Sequence, residues 1–125
     1  MLSLLLDENI SPEVSVQLRR KHPNISVTSV YHWRSGQFRA QADELILLAA
    51  AAVAMTLVTY DQKTILPVLV KWGQARSDHG GVIFVDNLSI ASNDIGALIR
   101  ALHALWEDTY ALDWTNSISY LKTTA

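Results

Sequence analysis

The chain contains no cysteine. This absence excludes disulfide bonds, thiolate zinc sites and a cysteine nucleophile, and it suits the reducing cytoplasm. Long apolar runs are missing too. The longest, from Leu45 to Met55, is shorter than the roughly 18 residues of a membrane-spanning helix. The first residues lack a basic segment, and Asp7 and Glu8 interrupt their apolar run, so they read as a strand and not as a signal peptide. We therefore expect a cytoplasmic protein without membrane contact.

Nucleotide-binding motifs are also lacking. There is no phosphate loop and no Gly-x-Gly-x-x-Gly, so nucleotide-cofactor enzymes are unsupported. The net charge of −2 argues against a dedicated nucleic-acid scaffold. Acids are absent between Val14 and Ala42, a segment whose cations are Arg19, Arg20, Lys21, Arg34 and Arg39. Such a segment can receive a phosphate backbone, or it is an ordinary solvated helix end and loop.

The residues that are present predict alternating strands and helices. The chain has 125 residues, half of them hydrophobic, which is enough for one domain with a real core. The pattern predicts strands at 2–6, 25–30, 56–60, 82–85 and, at an edge, 117–121. It predicts helices at 12–21, 42–54, 64–72 and 95–106, the second of them almost wholly apolar and deeply buried. We expect residues 1–125 to form a single domain, a three-layer α/β/α sandwich with a mostly parallel central sheet and right-handed crossovers.

Acidic residues stand where such a sheet has its functional site, outside the carboxyl ends of the strands. Asp7 and Glu8 follow the first strand, Asp61 follows the third, and Asp43 and Glu44 begin the apolar helix between them. Crowded carboxylates repel one another, and a hard cation such as Mg²⁺ or Mn²⁺ is the usual remedy. A metal held in this way activates water and stabilises a phosphodiester under attack.

Each acid also has a purely structural interpretation. Asp43 would serve as a helix N-cap, Asp61 would start a turn or cap the next helix, and Glu8 would simply be exposed. For Glu44 we favour a solvated acid of the first helical turn. Asp7 is the hardest to explain structurally, because it directly follows a wholly apolar strand.

Four segments together resemble one protein family. Residues 4–12, LLLDENISP, resemble the opening of the PIN-like proteins related to the VapC toxins of toxin–antitoxin systems, in their short subgroup. Residues 42–49, ADELILLA, resemble the second motif of that subgroup, and residues 57–61, LVTYD, resemble the third. Residues 81–85, GVIFV, resemble its fourth strand. The order and spacing of the four segments cover nearly the whole chain.

The resemblance implies a PIN-like fold and a Mg²⁺- or Mn²⁺-dependent ribonuclease, the toxin of a pair whose cognate antitoxin protein blocks it. Asp7, Asp43 and Asp61 fall on the acidic positions of the family and would hold the metal. Glu8 falls on the acid beside the first of them and would support the site or orient water. One departure concerns the third motif, where the family commonly has a further aspartate and then an aromatic residue. This chain has Lys63 and Thr64 there. The lysine would take the place of a second metal, contact a phosphate, or mark a weakened enzyme.

The loop before Asp43 offers candidate contacts to RNA. Arg34 and Arg39, with Trp33 and Phe38, would clamp and stack on a single strand, although a protein contact or plain packing explains them equally well. Together with Lys63, the two arginines are the predicted RNA-binding residues. The candidate contacts to a partner, an antitoxin or a second copy in a homodimer, are Trp33, Phe38, Trp114 and Tyr120.

Competing functions are still open at this point. A non-catalytic PIN-like protein would keep the fold and bind a partner, with Lys63 as the sign of decay. A phospho-acceptor signalling domain also has an acid pair after strand one and an aspartate after strand three. It expects Lys-Pro after the last strand, whereas Lys122 is followed by Thr123, so we rank it last. A phosphatase of the Asp-x-Asp type is disfavoured because Asn9 replaces the second aspartate.

Overall fold

Strands and helices alternate along the whole described chain. The computed structural model describes residues 1–123, in which five short strands alternate with four helices. The strands are β1 (Ser3–Leu6), β2 (Ser26–Ser29), β3 (Thr56–Thr59), β4 (Val82–Val85) and β5 (Ile118–Leu121). The helices are α1 (Pro12–Lys21), α2 (Asp43–Ala52), α3 (Gln62–Gln74) and α4 (Ile95–Thr109), and a 3₁₀ turn covers Trp33–Gly36.

The strands form one sheet in the order β2-β1-β3-β4-β5, and every neighbouring pair is parallel. The prediction of an α/β fold with a parallel sheet is confirmed, and the described sheet is wholly parallel. The register places Leu6 of β1 level with Val58 of β3, and Thr59 level with Phe84 of β4. The carboxyl ends of these three strands therefore lie nearly level at one edge of the sheet.

Each face of the sheet carries two helices and its own hydrophobic core. Successive side chains of a strand point to opposite faces, so each strand serves both cores. The face that we call the first packs Leu4, Val58 and Ile83 against α1 and α4. The second face packs Leu57 and Phe84 against α2 and α3. Burial on both faces explains why these strands read as continuous apolar runs.

The last crossover has the opposite hand to the other three. The connection from β1 to β2 moves toward one edge of the sheet and places α1 on the first face. The connections from β2 to β3 and from β3 to β4 move toward the other edge and place α2 and α3 on the second face. These three crossovers therefore share one hand. The step to β5 continues in the same direction, yet α4 lies on the first face. Parallel crossovers are right-handed in about 98% of cases, so the prediction of right-handed crossovers throughout is wrong for β4–α4–β5.

This reversal leaves β5 uncovered on the second face. Ile118 and Tyr120 point to that face, where the Tyr120 ring contacts Phe84 with 5.7 Å between centroids. Their side chains are 46% and 51% exposed. A groove of about 450 Å³ lies between Ile118 and α3 and is lined by Leu66 and Val70 among others. A helix of the usual hand would have covered this position.

Helix α2 is less buried than its composition predicts. Only Ile46, Leu47 and Ala50 are buried, whereas Leu45 and Leu48 are 49% and 59% exposed. The prediction of deep burial is therefore wrong. The physical reason is that α2 packs on the sheet and on α3 along one stripe, and no further element within residues 1–123 covers its outer side.

The helix starts follow the local sequence signals. Ser11 caps α1 by accepting a hydrogen bond from the Glu13 amide, and proline occupies the first turn. Asp94 caps α4 through the Ala97 amide. Helix α3 is longer than predicted and contains Pro67, which lacks an amide hydrogen for the helix. Among residues 1–123, no helix is long and apolar enough to cross a membrane.

Candidate functional site

Asp7 is a buried carboxylate at the carboxyl end of β1. Its side chain is 6% exposed. The main chain is held in line with the sheet, because the Asp7 amide donates to the Val58 carbonyl at 2.9 Å. Oδ1 accepts the Glu8 amide at 2.8 Å, and Oδ2 accepts the Thr59 hydroxyl at 2.7 Å. Within residues 1–123 the ion pairs are Lys71–Glu44 and His103–Glu107, so no described cation contacts Asp7.

The Thr59 hydroxyl links the ends of β1 and β3. Its Oγ1 accepts the Asn9 side-chain amide at 3.1 Å and the Asp61 backbone amide at 3.0 Å. Both lone pairs are thereby used, and its single proton is left for Asp7 Oδ2. Since both Asp7 oxygens act as acceptors, this arrangement suits the ionised carboxylate. Asn9 Oδ1 also accepts the Tyr60 amide at 3.3 Å, which fastens the β1–α1 loop to the end of β3.

Thr64 brings the Asp43 and Asp61 carboxylates together. Its hydroxyl donates to Asp43 Oδ2 at 2.6 Å, and its backbone amide donates to Asp61 Oδ1 at 3.2 Å. Asp61 is thus the N-cap of α3, as its structural interpretation held. Asp43 is not an N-cap, because Ala42 holds that position and Asp43 begins α2 itself. Asp7, Asp43 and Asp61 all lie at the same edge of the sheet.

Burial and like charges raise the pKa of the Asp7 carboxyl group. Burial is the largest cause, and the negative charges of Asp43 and Glu8 act in the same direction. The hydrogen bonds from Thr59 and from the Glu8 amide oppose this effect. The effect of the Asp43 charge on Asp7 agrees with the position of both carboxylates at the same edge of the sheet.

Glu8 and Glu44 each bond to a group other than the three aspartates. Glu8 Oε1 accepts a hydrogen bond from the Ala40 amide and so anchors the loop before α2. Glu44 forms a 3.1 Å ion pair with Lys71 and accepts from the Trp72 indole, and these contacts lower its pKa. The favoured interpretation of Glu44 as a first-turn acid agrees with this position, since its charge is already compensated.

The predicted RNA-binding loop is tightly folded. Arg34 and Ser35 have left-handed backbone angles, with φ of 50° and 58°. The Trp33 and Phe38 rings stack on each other at 5.0 Å and pack on the second core, which suits the packing interpretation better than base stacking. The Arg34 guanidinium lies 5.0 Å above the Trp33 ring.

Two exposed cations lie near the aspartates. The Arg39 guanidinium lies 5.2 Å above the Tyr31 ring, and Glu8 tethers the neighbouring residue, Ala40. Lys63 is exposed on the first turn of α3, at the rim of a cleft of about 370 Å³ that Asp61 and Asp86 also line.

Asp86, Thr59 and Thr64 also belong to this edge, although they were not predicted from the sequence. Asp86 directly follows β4, level with Asp61 when the strand register is extended. The rule that identified Asp7 and Asp61, an acid after a strand, would have found Asp86. No comparable signal marks the two threonines, because hydroxyl residues are common in strands and in helix starts.

The chemistry of these donors suits a hard divalent cation. Carboxylate oxygens are preferred ligands of Mg²⁺ and Mn²⁺, and the uncompensated charge of Asp7 needs a cation nearby. The carboxylates do not yet form a closed cage: in the described part of the chain, no group of three histidine or acidic side chains is close enough to hold a metal. Asp43 and Asp61 each bond to Thr64 through one oxygen. The side chains are therefore of the chemical type that binds such a cation.

Comparisons with protein-family models, with curated proteins and with solved structures each found no match. The resemblance to PIN-like proteins thus rests on the four sequence segments and on their places in the fold. Residues 4–12 span the end of β1 and the start of α1, residues 42–49 begin α2, and residues 57–61 span the end of β3 and the cap of α3. These three segments meet at the edge of the sheet that carries Asp7, Asp43 and Asp61, which we call the aspartate edge.

Proposed function

We propose that this chain is a PIN-like, Mg²⁺- or Mn²⁺-dependent endoribonuclease, the cytoplasmic toxin of a toxin–antitoxin pair. The observation that carries the proposal is the state of Asp7. This carboxylate is buried and bonded as an acceptor at both oxygens, it lacks a described counter-cation, and it experiences the charge of Asp43. A fold keeps such a costly group mainly where a ligand or a reaction requires it.

In this proposal Asp7, Asp43 and Asp61 hold the cation. The bound ion would supply Lewis acidity and activation of water toward a phosphodiester. The chain's own residues orient these ligands: the Thr59 hydroxyl fixes Asp7, and Thr64 fixes Asp43 and Asp61. Such fixed positions lower the cost of reorganisation when charge develops on the phosphate.

The cations at this edge would bind the RNA backbone. Lys63 lines a cleft with Asp61, and Arg39 precedes Ala40, whose amide bonds to Glu8; both cations are exposed and would bind the substrate strand. Arg34 extends the same loop. Glu8 contributes by holding this loop in place, so we assign it a positioning role and no longer that of a water orienter.

Asp61→Asn is the sharpest catalytic control. Asparagine caps helices as well as aspartate does, so α3 should keep its start while the ligand charge is lost. The assay is cleavage of a labelled single-stranded RNA with and without Mn²⁺. Removing one charged ligand should slow Mn²⁺-dependent cleavage by about 100-fold or more, with a nearly unchanged melting temperature.

Lys63→Asp tests the residue that departs from the family pattern. We expect weak cleavage by the wild type. The variant should raise it if Lys63 displaces a ligand, and lower it if Lys63 binds the phosphate. If wild type, Asp61→Asn and Lys63→Asp are indistinguishable at every Mn²⁺ concentration, the enzyme proposal fails. A non-catalytic PIN-like binding protein then replaces it.

A phospho-acceptor domain, ranked last from the sequence, gains support from one specific observation. The strand order β2-β1-β3-β4-β5 is that of the flavodoxin-like doubly wound folds, to which such signalling domains belong. Lys122 also follows β5 directly. Incubation with acetyl phosphate and Mg²⁺ separates the two candidates. A phosphoryl adduct on Asp61, seen by mass spectrometry, would favour this function over the ribonuclease.

A further inference from the structure

Strand β5 is an edge strand that the fold leaves open in two ways. It pairs with β4 on one side only, so its outer amide and carbonyl groups have no partner strand among the described residues. Its second face is also uncovered, and Ile118 and Tyr120 are about half exposed there. Edge strands usually carry a charge, a proline or a bulge that blocks pairing. Residues 118–121, ISYL, contain neither a charge nor a proline.

Exposed charges lie at both ends of β5: Lys122 follows the strand and shares a cleft with Asp108, whereas Asp78 lies beside its start and shares a groove with Arg76. Lys122 is exposed immediately after the strand. At its start, the Asn116 side-chain amide donates to Asp78 Oδ1 at 2.8 Å and so fixes an exposed carboxylate beside the strand. Neither Lys122 nor Asp78 belongs to an ion pair within residues 1–123.

The unpaired edge of β5, together with the positions of Lys122 and Asp78, favours one kind of occupant. A second β5 that runs antiparallel brings its Lys122 to the Asp78 end of the first, and the reciprocal pair forms by the same operation. A parallel second copy would place like charges together. Surfaces that are complementary to themselves under a two-fold rotation are the basis of isologous dimers.

We propose that the chain forms a two-fold dimer in which the β5 edges of two copies pair antiparallel. The two five-stranded sheets join into one continuous sheet. A two-fold axis perpendicular to the sheet keeps the second faces on the same side, so Ile118 and Tyr120 of each copy become cross-strand neighbours of those of the other. The dimer does not depend on the proposed ribonuclease activity, because β3 and β1 lie two and three strands from β5.

The first test is the concentration dependence of mass, measured by sedimentation on the wild-type chain and on Ile118→Lys. The substitution places two like charges together across the proposed interface and should weaken association about tenfold or more. Leu48→Lys is the matched control, since Leu48 is a similarly exposed apolar residue on α2. It should leave the association unchanged. Circular dichroism of each variant verifies that the fold is intact.

The second test exchanges the charges. Lys122→Glu alone should weaken the dimer, and Lys122→Glu with Asp78→Lys should restore it, because the pair is reversed in sign. A wild type that stays monomeric at every concentration overturns the proposal. Association that tolerates Ile118→Lys but is lost in Leu48→Lys overturns it as well, since the interface would then lie on α2. Failure of the double reversal to recover the dimer contradicts the antiparallel arrangement.

Discussion

The aspartate edge and the β5 end of the sheet are both incomplete, but in opposite senses. At the aspartate edge, charge is buried without a described counter-charge, and neutral hydroxyl groups hold the carboxylates in place. At β5, apolar surface is exposed without a covering helix. In the function proposed above, a small ion would relieve the first kind of deficit, because a cation compensates several carboxylates in little space. The second is relieved by a macromolecule, because only an extended surface covers a strand and a groove.

The comparison can be tested most strongly at Thr59, on which the aspartate edge depends. Thr59→Val keeps the shape but removes a hydroxyl that bonds to Asp7, Asn9 and the Asp61 amide. Because buried partners are left unsatisfied, the free energy of unfolding should fall by about 2–4 kcal/mol, measured by urea denaturation. Thr59→Ser is the control and should lose less than about 1 kcal/mol, since the hydroxyl remains. A larger loss in Thr59→Ser than in Thr59→Val would mean that methyl packing, and not the hydroxyl, matters here.

The β5 end should be much less sensitive to truncation. Ile83→Ala, in the fully buried part of β4, should cost about 3 kcal/mol, whereas Ile118→Ala, about half exposed, should cost less than about 1 kcal/mol. Both are measured by urea denaturation at low protein concentration, where self-association is weak. A large loss of unfolding free energy in Ile118→Ala under these conditions would show that β5 is covered within one copy. It would contradict the description of β5 as exposed apolar surface.

The smallest expected effect concerns the charge of Asp7 and its pH dependence. The pKa of Asp7 is raised in the folded state, so its contribution to stability is present below about pH 4, its unfolded pKa, and is lost as pH rises through the folded value. Asp7→Asn has no carboxyl group to ionise at this position, so its stability does not fall with pH for this reason. The melting temperature of the variant minus that of the metal-free wild type should therefore increase between pH 4 and pH 7. A difference that is constant with pH would mean that the charge is already compensated. Mn²⁺ should stabilise the wild type only.

The alternation of strands and helices could be predicted from the sequence because each strand is a short apolar run and each helix has a clear start. Asp7, Asp43 and Asp61 could be placed at one edge by the topological rule alone, since parallel strands end on the same side. The roles of single side chains were harder to predict. That Glu8 bonds to the Ala40 amide depends on how an irregular loop returns to the sheet, and no local pattern records this.

The exposure of α2 and the hand of the last crossover could not be predicted for a related reason. Leu45 and Leu48 look like core residues in a helix that is apolar all round, and the pattern does not reveal which stripe finds a partner. The side on which α4 packs depends on the fit of its apolar stripe against α1, a long-range contact. The usual handedness rule describes frequencies and cannot identify an exception.

The reversed crossover also has a consequence for the order of folding. Residues 86–117 separate β4 from β5, and α4 must already lie on the first face before the chain can return to the outer edge. We therefore expect β5 to join the sheet last and to leave it first. In native-state hydrogen exchange its amides should lose protection at lower free energies than those of β1 and β3, even under conditions where the whole molecule rarely unfolds. The strand that offers its edge to a second copy would thus also be the one that detaches most readily, which is the condition under which two copies can exchange it.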